Sequence, residues 1–239
     1  MKRIGLVVFR VILQLPYWWF YKLKTYGNRE KYPTIDEGYQ FVHRVAKIIV
    51  KKARVNLICK GTENLPQEGG YLLAPNHQGL FDIIALFATH DNTMKFVLKK
   101  ELCSTILVKD VVKVLDFYPL ERKNIRDGAK MVKQVSEEIN NGQSYCIFPE
   151  GTRSKKGNHL GSFKGGTFKI VAKTGCPVVP VAMIDCYKVF DNNTIKQETA
   201  QICYLKPIYY DEYKKLKTNE LAELVHDRIE QYMMEQGAI

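Results

Sequence analysis

Residues 71–90 read YLLAPNHQGLFDIIALFATH, and this stretch decides the fold. Its first part, YLLAP, is an apolar run that ends in a polar turn, which predicts a buried strand. Its last part, LFDIIALFATH, predicts a helix that starts directly after the turn. A strand that passes through a short turn into a helix is a building unit of α/β proteins. Reactive side chains are commonly exposed at such turns.

Outward from this unit, short β-rich runs alternate with longer helical stretches. The runs are VNLIC (55–59), YLLAPN (71–76), KFVL (95–98), DFYPLE (116–121), SYCIFPE (144–150), VVPVAMI (178–184) and QICYL (201–205). Their alternation with helices predicts an α/β fold in which a mixed central sheet is flanked by helices.

Two long helices are predicted in the second half of the chain. One runs from Asn124 to about Asn141, where Ile125, Val135 and Ile139 recur at helical spacing and Asn141-Gly142 supplies a stop signal. The other runs from about Asp211 to Glu235 and carries leucine, isoleucine and methionine at helical spacing. The first is expected to cover a face of the sheet, and the second includes Leu216 among its regularly spaced apolar residues.

Residues 1–54 are predicted to form a helical pair that associates with a membrane, ahead of an α/β domain over residues 55–239. The first helix breaks around Gly27 and Asn28, and Thr34 is the expected cap of a second, basic helix that runs to about Arg54.

The run at residues 4–21, IGLVVFRVILQLPYWWFY, could contact a bilayer. It lacks the small-residue cleavage site of a secretory signal. Arg10, Gln14 and Pro16 are costly inside hydrocarbon, so an interfacial or shallowly inserted helix is favoured over a spanning one. The aromatic residues from Tyr17 to Tyr21 suit the headgroup level, and basic residues follow them. A packed amphipathic core helix is the alternative interpretation.

The charge balance indicates an anionic partner. Lys and Arg total 36 against 25 acidic residues, a net charge of +11 that is spread along the chain. Anionic lipid headgroups, an acidic carrier protein and nucleic acid would all be attracted to such a surface. No helix-turn-helix, RNA-recognition or zinc-finger pattern is present, so nucleic acid is not expected as a partner.

The six cysteines are interpreted as reduced thiols with a packing role. They lie mostly in apolar runs and include no C-x-x-C pair, so no metal site is expected. They are Cys59, Cys103, Cys146, Cys176, Cys186 and Cys203.

The first candidate motif lies in the turn after YLLAP, where His77 precedes Asp82 by five residues. A carboxylate in the first helical turn can contact a histidine placed just before the helix. Asp82 would then fix the imidazole tautomer and leave the other ring nitrogen free to accept a proton. The spacing alone is weak evidence, because His77 could equally be a structural residue of the loop.

The second candidate motif, FPEGTRS at residues 148–154, also follows an apolar strand. Glycines let backbone amides approach an anion closely, and an arginine can bind a phosphate with two hydrogen bonds. The segment therefore predicts a phosphate site, although a flexible basic surface loop would have similar composition. Neither a Walker loop nor a dinucleotide-binding glycine pattern is present.

Together these motifs resemble the glycerolipid acyltransferase family, most closely its bacterial 1-acyl-glycerol-3-phosphate acyltransferases. His77 to Asp82 matches its N-H-x4-D block, residues 148–154 match F-P-E-G-T-R-S, and Val179-Pro180-Val181 matches a third block. Arg122 matches the arginine that closes the remaining block, but the family's glycine there is replaced. The resemblance covers residues 70–182, with the blocks in order.

The resemblance implies an enzyme that transfers an acyl group from a thioester to the sn-2 hydroxyl of 1-acyl-glycerol 3-phosphate, giving phosphatidic acid. His77 would be the general base, Asp82 its orienting partner, and Lys99 or backbone amides near His77 would stabilise the oxyanion. The acceptor phosphate would be held by Arg122, Glu150, Gly151, Thr152 and Arg153, with Glu150 as a brace for the loop. Val179, Pro180 and Val181 would line the acyl chain or pack in the core.

The same resemblance implies the partners and the location. The acceptor would be lysophosphatidic acid, and the donor an acyl-acyl carrier protein or acyl-coenzyme A, with no cofactor. An enzyme with two lipid substrates is expected at the anionic surface of the cell membrane, peripheral or monotopic on the cytoplasmic face. A relative acting on glycerol 3-phosphate or another lysophospholipid remains an alternative. A non-catalytic basic membrane-binding module is the alternative from a different class.

Overall fold

All seven β-rich runs form strands of one sheet in the computed structural model, which describes residues 2–105 and 108–239. The strands are β1 Val55–Lys60, β2 Leu72–Pro75, β3 Met94–Lys99, β4 Tyr118–Leu120, β5 Ser144–Cys146, β6 Val178–Ile184 and β7 Glu198–Tyr204. Their order across the sheet is β1-β7-β6-β2-β5-β3-β4. The β6–β7 pair is antiparallel and the other pairs are parallel. The predicted mixed α/β fold is confirmed.

Helices cover both faces of this sheet. They are α1 Lys2–Val11, α2 Lys24–Tyr26, α3 Asp36–Lys52, α4 Phe81–Thr89, α5 Lys109–Leu115, α6 Ile125–Asn140, α7 Lys169–Thr174, α8 Cys186–Asp191, α9 Tyr210–Tyr213 and α10 Thr218–Glu235. A π-helical segment, Tyr17–Leu23, lies between α1 and α2, and 3-10 turns occur at Thr62–Asn64 and Lys100–Ser104.

The central strand β2 separates two apolar clusters. Leu73 packs in the cluster that includes α3 and α4, whereas Leu72 and Ala74 pack in the cluster that includes α6 and α10. Side chains alternate between faces along a strand, so both clusters meet on β2. All four β2 residues are buried. The turn that follows β2 therefore starts from a firmly packed strand end.

The predicted helix from Asn124 is confirmed as α6. The Asn124 side chain caps it by accepting hydrogen bonds from the backbone amides of Arg126 and Asp127. Val135 and Ile139 are buried as expected. Ile125 was expected on the same buried face, but its side chain is 91% exposed, because the first turn of α6 lies at the mouth of a cavity rather than over the sheet.

The predicted final helix is divided into α9 and α10. The backbone amide of Lys217 donates to the side chain of Glu220 at 2.6 Å, which starts a new helix at that point. Leu216, expected on a buried helical face, is 37% exposed in the intervening turn.

The N-terminal segment also differs from its prediction. The first helix stops at Val11 and the chain resumes as a π-helix after Pro16, because proline lacks the N–H that a continuous α-helix would need there. Helix α3 begins at Asp36, two residues after the expected cap Thr34. Among residues 2–105 and 108–239, no helix combines the length and apolar character needed to cross a bilayer.

Several N-terminal side chains point into the protein rather than outward. Arg3 is fully buried and donates to the backbone carbonyls of Ala53 and Lys196. Trp18, expected at the headgroup level, is 9% exposed, and the indole of Trp19 donates to Asp110 at 2.8 Å. The division at residue 54 therefore remains a prediction, and residues on both sides of it share one apolar cluster.

Four cysteines are buried: Cys146, Cys176, Cys186 and Cys203. Cys59 is exposed and Cys103 is partly buried, so the packing role expected for all six holds for four.

Candidate active site

The turn after β2 brings His77 and Asp82 into direct contact. Nδ1 of His77 lies 2.7 Å from Oδ2 of Asp82, whose side chain is fully buried at the start of α4. The same carboxylate oxygen accepts hydrogen bonds from the backbone amides of Gln78 at 2.6 Å and Gly79 at 3.0 Å. Since an ionised carboxylate can only accept, the proton lies on Nδ1 of His77. Nε2 is then the nitrogen that can accept a proton.

The ring of His77 is also held from the side. It stacks on Phe148 with ring centroids 4.1 Å apart and an interplanar angle of 28°. The side chain of His77 keeps 18% of its surface exposed. The imidazole is therefore fixed in orientation and still accessible to a ligand.

Glu150 joins the two sequence motifs. One carboxylate oxygen accepts from the backbone amide of His77 at 2.7 Å, and the other accepts from the amide of Gly161 at 3.0 Å. Only 5% of Glu150 is exposed, and burial raises the pKa of this carboxyl. The amide of Ser154 also donates to the carbonyl of His77 at 2.9 Å. This geometry makes Glu150 a brace between two loops.

The loop after Glu150 presents cationic and polar groups. Gly151 has φ +71°, a conformation that favours glycine, and its carbonyl accepts a hydrogen bond from the guanidinium of Arg122. Thr152 and Arg153 follow with exposed side chains. Arg153 is part of this loop and Arg122 is bonded to it. Both arginines are exposed and can contact an anion.

A cavity of about 550 Å³ opens beside His77. Four of the predicted site residues line this cavity: His77, Lys99, Arg122 and Gly151. The ammonium group of Lys99 lies 3.0 Å from a carboxylate oxygen of Glu101. The wall away from this polar end is mostly apolar, formed by Ile83, Val97, Leu98, Leu102, Leu120, Ile125, Ala129, Met131, Val132, Ile147 and Phe148.

One sequence-based expectation needs correction, and for Val179–Val181 the structure favours one of the two predicted alternatives. The backbone amides of His77, Gln78 and Gly79 already donate to Glu150 or Asp82, so these three cannot also stabilise an oxyanion. Val179, Pro180 and Val181 lie fully inside β6, whereas the residues that line the described cavity come from other elements. In this arrangement the Val179–Val181 segment packs in the core.

Sequence reasoning missed part of the cavity. Gly128, Ala129 and Val132 line it from α6, and Lys164 and Lys169 add cationic groups to its lining. Small residues on one face of α6 are the signal in the sequence, but a helix pattern does not reveal which cavity its face lines.

The fold agrees with the comparison to known proteins. The chain belongs to the acyltransferase family, because the model of the family described as Acyltransferase matches residues 56–184, more than half of the chain. The family resemblance stated on the motifs is thus confirmed.

Individual relatives carry more specific names. A chloroplastic 1-acyl-sn-glycerol-3-phosphate acyltransferase of Brassica napus is 33% identical over 154 residues, covering 63% of this chain and 44% of the relative. The enzyme of the same name from Borreliella burgdorferi is 27% identical and covers 77% of this chain and 74% of the relative. The chain therefore spans less than half the length of the Brassica relative.

A solved structure shows the same fold. The crystal structure of the 1-acyl-sn-glycerophosphate (LPA) acyltransferase PlsC from Thermotoga maritima aligns with a TM-score of 0.80. The alignment covers 100% of this chain and 97% of that chain at 22% sequence identity.

Proposed function

We propose that this protein transfers an acyl group from an acyl thioester to the sn-2 hydroxyl of 1-acyl-glycerol 3-phosphate, giving phosphatidic acid. The carrying observation is the 2.7 Å contact between His77 and buried Asp82 at the mouth of a largely apolar cavity. The names of the relatives support the same acceptor.

In this mechanism His77 is the general base. Its Nε2 removes the proton from the acceptor hydroxyl as the oxygen attacks the thioester carbonyl, and Asp82 stabilises the imidazolium that forms. The protonated imidazole then supplies the proton that the leaving thiolate takes up. Lys99, on the cavity wall with His77, is the candidate for stabilising the oxyanion.

The acceptor phosphate is bound, in this proposal, by Arg122, Arg153 and the hydroxyl of Thr152. The amide of Gly151 already donates to the carbonyl of Phe148, so Gly151 acts by orienting Arg122. Arg122 is already oriented by the Gly151 carbonyl, and Arg153 is exposed. Glu150 is too buried and too fully bonded to contact a phosphate, so its role is to hold the loop. Fixing the phosphate places the hydroxyl against His77, and such positioning is worth several kcal/mol of barrier.

The acyl chain of one substrate packs in the cavity against the apolar side chains of β3, β4 and α6. This wall and the cationic residues at the cavity mouth suit a donor with a long acyl chain and a phosphate-bearing carrier, such as acyl-coenzyme A or an acyl-acyl carrier protein. Both donors belong in the test.

We also propose that the protein acts at the anionic surface of the cell membrane, peripheral or monotopic on its cytoplasmic face. Phe9, Leu13 and Phe20 are 75%, 93% and 69% exposed, an unusual set for a surface in contact only with water. Lysines 22 and 24 follow them in sequence. Co-sedimentation with vesicles containing phosphatidylglycerol should be weakened by Leu13→Asp, whereas Ile195→Asp, at another exposed apolar residue, should bind like the wild type.

The direct test is a panel of acceptors and donors with detergent-solubilised enzyme. Lysophosphatidic acid, glycerol 3-phosphate and lysophosphatidylglycerol are each offered with acyl-coenzyme A and with acyl-acyl carrier protein, beside His77→Ala. Preference for lysophosphatidic acid supports the proposal, and preference for another acceptor assigns a different reaction of the same family. Vesicle binding with no transfer to any acceptor would favour a non-catalytic membrane module.

A further inference from the structure

Asn158 lies in the loop that follows the FPEGTRS motif, and its amide group is fully used. Its Oδ1 accepts from Nε2 of Gln78 at 2.9 Å and from the amide of Asp185 at 2.8 Å. Its Nδ2 donates to Oδ1 of Asp185 at 2.9 Å and to the carbonyl of Ala238 at 3.1 Å. Four hydrogen bonds exhaust the capacity of a primary amide, so Asn158 is fixed by three different segments.

Gln78 passes this constraint to the catalytic turn. Its side chain is 2% exposed and is held at the other end by the amide of Cys186, which donates to Oε1 at 2.9 Å. Its own backbone amide donates at 2.6 Å to the Asp82 oxygen that contacts His77. The Gln78 peptide cannot shift without changing the position of that oxygen.

We propose that Asn158 is a positioning residue for acyl transfer, acting through Gln78 on Asp82 and thereby on the ring of His77. This inference rests on the proposed function. Asn158 follows Arg153 by five residues on the same loop, so the loop proposed to bind the acceptor phosphate also holds the catalytic carboxylate. The loop thus carries the side chains proposed to bind the phosphate and, through separate hydrogen bonds, the residue that positions the base.

The consequence is a separation of kinetic effects. Removal of the Asn158 amide leaves Nε2 of Gln78 buried without its partner. The Cys186 amide still holds Oε1 of Gln78, but the Gln78 peptide that donates to Asp82 is less tightly constrained. Arg122 and Arg153 do not contact Asn158 in the described contacts, so binding of the acceptor is retained. A misplacement of about 1 Å can cost on the order of 100-fold in rate.

The first experiment compares Asn158→Ala with His159→Ala, its exposed neighbour in the same loop. Asn158→Ala is expected to lower kcat by about 10- to 100-fold, with the KM for lysophosphatidic acid within about twofold of wild type. His159→Ala should leave both constants unchanged. An unchanged kcat for folded Asn158→Ala, with only a lower melting temperature, would show a purely structural residue and overturn the proposal.

A second pair of variants, which exchanges the side chains of Asn158 and Asp185, distinguishes a loss of positioning from misfolding. Asn158→Asp places two carboxylates against each other at Asp185, and it should lose activity. Adding Asp185→Asn restores a donor opposite an acceptor, and asparagine tolerates the φ of +60° at this position. Partial recovery of kcat in the double variant supports the proposal, and no recovery in a folded double variant contradicts it.

A spectroscopic readout separates this inference from the proposed function. The proton on Nδ1 of His77, shared with Asp82, gives a downfield proton resonance that His77→Ala assigns by its loss. Asn158→Ala should shift or broaden this resonance, and His159→Ala should not. If the wild type transfers no acyl group, the proposed function fails while the resonance still decides whether Asn158 positions His77.

Discussion

The turn at residues 76–82, proposed to be catalytic, and the loop at residues 150–154, proposed to bind phosphate, adjoin the same cavity but differ in the exposure of their polar side chains. In the turn, Asn76, Gln78 and Asp82 are at most 2% exposed and each is hydrogen-bonded. In the loop, Thr152 and Arg153 are exposed. The turn is organised before substrate arrives, whereas the loop keeps groups free for an anion. Changes in the turn should therefore act on kcat, and changes at the exposed end of the loop on KM.

The largest effect is expected in the turn. His77→Ala removes the proposed general base and should lower kcat by about 10²- to 10⁴-fold. Steady-state rates with lysophosphatidic acid measure this loss, with His159→Ala as the control. If His77→Ala kept wild-type kcat, the assignment of the turn as the catalytic region would be wrong.

A stability effect is expected at the other end of the 71–90 stretch, where His90 is fully buried between Tyr39 and Tyr71. Burial lowers the pKa of His90 to about 4. Below pH 6.5 the unfolded chain binds a proton that the folded protein excludes. The stability this histidine contributes is thus present above pH 6.5 and lost as the pH falls toward 4, by roughly 3 kcal/mol.

Urea unfolding of the wild type and His90→Gln between pH 4.5 and 7 measures this contribution. The variant should be less stable at pH 7, and the difference from wild type should shrink as the pH falls. A difference that stays constant over this range would show that folding does not lower the pKa of His90.

Glu150 belongs to both regions and tests how they are joined. In Glu150→Gln an N–H of the new amide must face the backbone N–H of either His77 or Gly161, so one hydrogen bond is lost. We expect a loss in kcat of about 10- to 100-fold and destabilisation by about 1–3 kcal/mol. Rates and urea unfolding measured on the same preparation test both. A change in KM alone would place Glu150 with the substrate-binding groups instead.

The smallest of these effects is expected at the exposed end of the loop. Arg153→Ala removes one charged hydrogen-bond donor that is proposed to contact the acceptor phosphate, and it should raise the KM for lysophosphatidic acid about tenfold, with stability unchanged. Arg44→Ala, at an exposed arginine on α3, is the matched control. A tenfold loss in kcat at constant KM would contradict the division between the two regions.

Much of the fold was predictable because its signals are local. The strands are apolar runs bounded by turns, and His77 and Asp82 are five residues apart at a strand-to-helix junction. The helix ends were less predictable, since the restart at Lys217 depends on the Glu220 side chain, which accepts a hydrogen bond from the Lys217 amide. The burial of Trp18 depends on neighbours that are remote in sequence.

The rest of the site depends on the order of the strands. Glu150 reaches His77, and Asn158 reaches Gln78, because β5 and β6 flank β2 in the sheet. No spacing in the sequence encodes these contacts. The same order encloses Val179 and Val181 between neighbouring strands, which is why they lie in the core. Part of the cavity wall comes instead from α6.

The pairing of β1 with β7 also determines how late in synthesis the sheet can finish folding. Val55 pairs with Glu198 and Lys60 with Cys203, so the first strand finds its partner only after most of the chain has been synthesised. Contacts between such distant segments slow folding, because a long loop must close before they form. A nascent chain that ends before β7 therefore exposes an unpaired strand edge and apolar surface, and chaperone demand should be greatest in that interval.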